Sequence, residues 1–291
     1  MDNAEIINDI RSDRIKKIIV DCDAGADGDD QFALAWALCS PDKVEVLSAN
    51  SAPFNENSDE TAEAGRRECE EIIKCAGLDI PAYCGSSDYI TRRGEPFYSD
   101  AARNVRDAAM RYDEPVYVVI TGCCTNVACA LALYPEIRNK IVVVWLALDN
   151  LDGRSNTGEY NYHNDIVAGK LLFSLAENLV LVCAGRVVAP FRKSDDEIDA
   201  LFSSDRPLPS WLRKRFREIP WAQGLWDLCA EGLLIVPGAC ETEICDRPVF
   251  GEDGEIEGFD NSRKMVVVNK NDHDMILADC VRRINGWSVG K

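Results

Sequence analysis

Residues 16–38 read KKIIVDCDAGADGDDQFALAWAL. The run KKIIV (16–20) is a short β-branched strand, and QFALAWAL (31–38) has helical character. Between them Asp21, Asp23, Asp27, Asp29 and Asp30 set five carboxylates within ten residues. Carboxylates crowded in this way repel one another unless a cation sits among them, and all-oxygen donor sets select hard divalent ions, calcium or magnesium. Helix capping explains one or two of the five, because Asp29 or Asp30 would favour the positive end of the helix that follows. An EF-hand is excluded, since the twelfth position counted from Asp21 is Phe32 and not a bidentate Glu.

The same alternation continues outward from this stretch. A strand is expected at 44–47 and an exposed, charged helix at 59–75. VYVVI (116–120) precedes a helix at 126–133, IVVVWL (141–146) precedes a polar loop and a helix at 166–174, and 179–183 is a further strand. Strands that are apolar throughout belong in a parallel sheet covered on both faces. Residues 211–229 read as helices capping the sheet, 250–259 as a hairpin, 265–268 as a strand and 274–284 as a closing helix. No linker or repeat divides the chain, so the expectation is a single α/β domain over 1–291 with an open, mostly parallel sheet flanked by helices. Its function then lies in strand-end loops.

Composition narrows the partners. With 50 Asp+Glu against 32 Lys+Arg the formal charge is −18, and no Lys/Arg-rich stripe offers a face for a phosphate backbone, so nucleic acid is disfavoured. No apolar run approaches a membrane span, and residues 1–17 lack a basic head followed by an apolar segment, so a cytoplasmic protein is expected. The thirteen cysteines include no C-x-x-C and read as small buried hydrophobes in a reducing compartment, the pair Cys123 and Cys124 included.

At Asp21-x-Asp23-x-Gly25 and Asp29-Asp30 the sequence resembles the inosine-uridine nucleoside hydrolase family, in a longer form where Ala26-Asp27-Gly28 fills the gap before the Asp pair. Further segments are similar in order: Thr121-Gly122-Cys123-Cys124-Thr125-Asn126 after the VYVVI strand, Glu159-Tyr160-Asn161, Asn55 after the second strand, and Trp226-Asp227. The resemblance implies a nucleoside N-ribohydrolase of base salvage, which splits the N-glycosidic bond with a calcium-activated water to give ribose and free base. It implies calcium held by Asp23, Asp30, Asp227 and the carbonyl of Thr125, with Asp29 as the base and Asp21 supporting the ligands from behind. Asn55, Glu159 and Asn161 would hold the ribose hydroxyls. The partner would be a small-molecule nucleoside, in a homodimer or homotetramer.

The chain also departs from that pattern. Trp226 stands where the family has a histidine before the Asp, so the imidazole that protonates a leaving base is missing, and an indole would stack on the base instead. Ala147-Leu148 replaces a Gly-Gly pair, and Gly153 replaces an expected Asn for which Asn156 would substitute. The role of Asp27 is open, and His163 and His273 read as surface residues. Two rival readings follow: a haloacid-dehalogenase-like magnesium phosphatase built on Asp21-x-Asp23 and Thr121, and a calcium- and ribose-binding homologue whose catalysis has decayed.

Overall fold

The computed structural model describes residues 1–55, 58–152 and 156–288. Eight strands form one sheet: β1 (Lys16–Cys22), β2 (Val44–Ser51), β3 (Ala82–Tyr83), β4 (Val116–Ile120), β5 (Ile141–Ala147), β6 (Leu179–Cys183), β7 (Cys240–Phe250) and β8 (Ile256–Asn271). Their spatial order is β3-β2-β1-β4-β5-β6-β8-β7, parallel throughout except for the antiparallel β7–β8 pair. This is the expected α/β architecture. The apolar strands are buried on both faces because successive side chains serve separate cores. Val116, Val118 and Ile120 of β4 join one cluster while Tyr117 and Val119 join the other, and β5 alternates in the same way.

Chain order runs from β1 outward to β2 and β3, then crosses back to β4 on the other side of β1. The helices that follow β1 and β4 therefore pack on opposite faces of the sheet, and the carboxyl ends of two such strands are the usual place for a ligand in an open α/β sheet. Helix Asp30–Leu38 follows β1 and helix Thr125–Leu133 follows β4; both are apolar nearly all round and buried, as their sequences require.

The last third differs from the expectation in two places. Helix Pro207–Glu218 ends before 219–227, a non-helical segment, and a separate helix Leu228–Ile235 follows. The expected hairpin at 250–259 is only the tip of a long one, and the expected strand at 265–268 is the inner part of the 16-residue β8. Register shifts in the β7–β8 pair break the alternation along it. Helices that were not anticipated include Asn3–Arg11, Asp100–Arg111 and Asp195–Leu201; the first opens with a capping box between Asp2 and Glu5. All thirteen cysteines are free, Cys123 and Cys124 fully buried, with both thiols pushed well above the usual range by burial. Among the described residues no helix is long and apolar enough to cross a membrane.

Candidate functional site

The loop after β1 folds back on itself at Gly25 (φ +104°) and Gly28 (φ +99°), backbone conformations that suit glycine. It is pressed against the loop after β4: a Cβ on Gly122 would lie 2.8 Å from the Asp23 carboxyl carbon, so only glycine lets the two approach. Thr121 Oγ1 donates to Asp30 Oδ1 at 2.8 Å, and the Asp227 amide, at the start of helix Leu228–Ile235, donates to Asp29 Oδ2 at 3.1 Å. One carboxylate oxygen from each of Asp27, Asp29, Asp30 and Asp227 lies within 4.8 Å of the others.

Asp23, Asp29, Asp30 and Asp227 are buried. Asp23 Oδ2, Asp29 Oδ1 and Asp30 Oδ2 are enclosed and have no hydrogen-bond partner. Burial, then mutual repulsion, pushes the carboxyls of Asp23, Asp29 and Asp227 well above the usual range and that of Asp30 up to about 7. No Lys, Arg or His lies among the described residues lining this cavity, which has a volume of about 310 Å³. Bare, buried, like-charged oxygens at this spacing suit a hard cation that neutralises them and takes the idle lone pairs.

Other expected residues meet on the same wall. The Glu159 carboxylate accepts from the amides of Leu148 (3.1 Å), Asn161 (3.1 Å) and Tyr162 (2.9 Å), and burial lifts it to about 7 despite those donors. Asn161 Nδ2 donates to the carbonyls of Thr121 (2.7 Å) and Leu146 (2.9 Å), which leaves Oδ1 as the acceptor it can offer. Leu148, at the replaced Gly-Gly position, takes a left-handed φ of +61° that aims its amide at Glu159, a conformation costing about 1–2 kcal/mol for a non-glycine residue. Asp27, Tyr160 and Trp226 also border a second cavity of about 530 Å³, completed by Ala26, Asn55 and Trp221. The Asn55 side-chain carbonyl there accepts from Tyr160 Oη at 3.2 Å. Acidic and aromatic compartments thus adjoin.

Two expected residues, Thr125 and Asn156, are brought to neither compartment. Thr125 lies in the first turn of its helix, four residues beyond Thr121, and its hydroxyl donates to Asp165 at 2.7 Å; the threonine of that segment on the cavity wall is Thr121. Asn156 Oδ1 accepts from the Asn150 amide at 3.0 Å and its own amide donates to Glu255 at 2.8 Å, so it braces the loop. Asp21 sits behind the cavity, bonded to Asn50 (3.2 Å) and Asn126 (3.1 Å), its carboxyl raised to about 7 by burial. Gly153 lies outside the described residues. His163 is exposed and its Nδ1 donates to the Thr157 carbonyl, while His273 lies beside Asp274 at the surface. Sequence reasoning missed Asp149, Tyr160 and Trp221 as wall residues. Asp149 carried a signal, a carboxylate just past an apolar strand; Trp221, in the non-helical segment, carried none.

Comparison with known proteins bears on this geometry. The family model described as inosine-uridine preferring nucleoside hydrolase matches residues 18–231. The chain is 25% identical over 266 residues to the pyrimidine-specific ribonucleoside hydrolase RihB of Escherichia coli (strain SE11), covering 78% of this chain and 81% of that protein. Among solved structures, the inosine-uridine preferring nucleoside hydrolase of Bacillus anthracis superposes with a TM-score of 0.74 at 18% identity, over 93% of this chain and 99% of that one. The purine-preferring ribonucleoside hydrolase of Gardnerella vaginalis gives 0.73 at 20% identity, over 94% and 99%. The structural likenesses establish the fold, and the three printed names differ on the base.

The raised carboxyls make stability depend on pH. Asp21, Asp30 and Glu159, at about 7, and Asp23, Asp29 and Asp227, raised by burial in the same direction, hold protons in the cation-free fold that the unfolded chain releases near pH 4. Their contribution is fully present below about pH 4 and is lost as the pH rises through about 7. Thermal unfolding of chelator-treated protein should therefore shift to lower temperature between about pH 5 and about pH 8, and calcium should remove most of that shift. A midpoint that rises over this range without the ion would contradict the account.

Proposed function

The chain belongs to the inosine-uridine preferring nucleoside hydrolase family and is a nucleoside N-ribohydrolase; from that premise we propose that it cleaves the N-glycosidic bond of a ribonucleoside to ribose and free base, with calcium as its cation. The observation that carries this reading is the set of bare, buried carboxylate oxygens beside Glu159 and Asn161 in one cavity. Asp23, Asp30 and Asp227 would hold the cation, with the carbonyl of Thr121 on the wall in place of Thr125. When bound, the ion would engage sugar hydroxyls and make water more acidic.

The chain's own groups supply the remaining work. Asp29 has Oδ2 tied to the Asp227 amide and Oδ1 free, so one oxygen fixes the carboxylate and the other accepts the proton of the attacking water. Glu159 and Asn161, oriented by backbone partners, accept from ribose hydroxyls. As the bond to the base stretches the sugar gains positive charge, which a wall of carboxylates stabilises. Trp226 bears no group that donates a proton near neutral pH, so its contribution to the departing base is stacking. Asn55 would reach the nucleoside from the aromatic compartment. Asn156 acts through the loop ahead of Glu159, and Asp21 through the strand end. Salvage in the cytoplasm, as a homodimer or homotetramer, completes the reading on family resemblance alone.

A phosphatase is disfavoured, because a phosphate in this cavity would face carboxylates with no Lys or Arg on the described wall. A panel of nucleosides assayed for reducing sugar should show ribose release that chelator abolishes and calcium restores. Nucleoside binding without ribose release would point instead to decayed catalysis, and magnesium-dependent phosphate release to the phosphatase. Asp29→Asn should lower kcat by roughly 10²–10⁴-fold while nucleoside binding survives; near-normal turnover would remove Asp29 from the base's role. Trp226→Ala should slow cleavage of natural nucleosides more than that of p-nitrophenyl riboside, whose leaving group needs no proton. Equal losses on both would make Trp226 a packing residue for the helix after Asp227.

A further inference from the structure

The cluster of four carboxylates contains one that the proposed reaction does not use. We propose that Asp27 is a further ligand of the cation, supplied by the longer Ala26-Asp27-Gly28 loop, an inference that rests on the cavity holding a divalent cation. A calcium–oxygen distance of 2.3–2.6 Å allows two ligand oxygens of one ion to stand up to about 5.2 Å apart. An Asp27 oxygen lies within 4.8 Å of oxygens on Asp29, Asp30 and Asp227, so all four fall inside that reach. Asp29 Oδ1 and Asp30 Oδ2, enclosed and without partners, point independently to an occupant at this position.

The loop is also built to hold Asp27 in place. Trp221 Nε1 donates to the Ala26 carbonyl on one side of it. On the other side, a Cβ on Gly28 would stand 3.2 Å from Ala222 Cβ, so the backbone there packs closely against the 219–222 segment. Asp27 borders both cavities, which puts its carboxylate between the other acids and the aromatic compartment. An added anionic ligand raises affinity for a hard ion, because charge count is a main determinant of calcium binding strength.

Calcium titration of the chelator-stripped full chain by calorimetry tests this, using wild type, Asp27→Asn and Asp149→Asn. Asp149 carries a carboxylate on the same wall outside the cluster, so it reports the general field of a lost charge. Asp27→Asn should weaken calcium by at least about tenfold, the smallest loss seen when even an outer partner of a metal site is removed, and Asp149→Asn should weaken it far less. Terbium emission sensitised by Trp221 and Trp226 should report the same order of affinities. Unchanged affinity in Asp27→Asn, or equal losses in the two variants, would overturn the proposal and leave the hydrolase reading intact. A wild-type chain that binds no calcium would overturn the proposal and the calcium assignment together, whereas ribose release insensitive to chelator would strike the proposed function separately. If Asp27→Asn does not fold by circular dichroism, Asp27→Ser replaces it with the same expectation.

Discussion

Like charges buried side by side are the constraint to which the rest of this structure answers. Asp23, Asp29, Asp30 and Asp227 are almost without solvent, and no basic side chain among the described wall residues balances them. What relief the protein gives comes from backbone. Asp29 and Asp30 open helix Asp30–Leu38, and Asp227 opens helix Leu228–Ile235, so two positive helix ends face the cluster. These dipoles offset part of the repulsion and leave three oxygens bare. The charge is thus kept high and only partly compensated, which gives a cation more to gain than an already neutralised pocket would.

Holding such a cluster needs a rigid frame. β1 and β4 pair over five residues, Lys17 to Asp21 against Val116 to Ile120, and both strands are packed on two sides. Gly122 then allows the β4 loop to touch Asp23 directly, and Thr121 ties that loop to Asp30. Just past the end of β5, Leu148 accepts a strained backbone so that its amide meets Glu159. The position of each acid is set by main chain more than by neighbouring side chains, and main chain in a doubly covered sheet moves little.

The acidic loop and the central strands were legible because each is a local pattern: an apolar β-branched run, a burst of Asp, an apolar helix. Glu159 and Asn161 were legible through their order along the chain. Thr121 and Thr125 show where this stops. Both follow the same strand in TGCCTN, and only the turn at Gly122, forced by contact with Asp23 from a distant segment, decides which one meets the cavity. Trp221 was hidden for a related reason, since its place depends on a helix ending at Glu218, and aromatic residues alone do not announce such an end. The length of β8 escaped because an edge hairpin with shifted register loses the simple alternation on which strand reading relies.

The bond between the Asp227 amide and Asp29 joins residues 198 positions apart. No N-terminal fragment that stops short of residue 227 possesses the complete acid cluster, however well its own strands have paired. Closing so long a loop is entropically costly, and the contact becomes available only when 227 of the 291 residues have been made. A cation that needs Asp227 therefore favours a fold in which that residue has reached the β1 loop over every fold that lacks it, which ties ion occupancy to the joining of two distant segments.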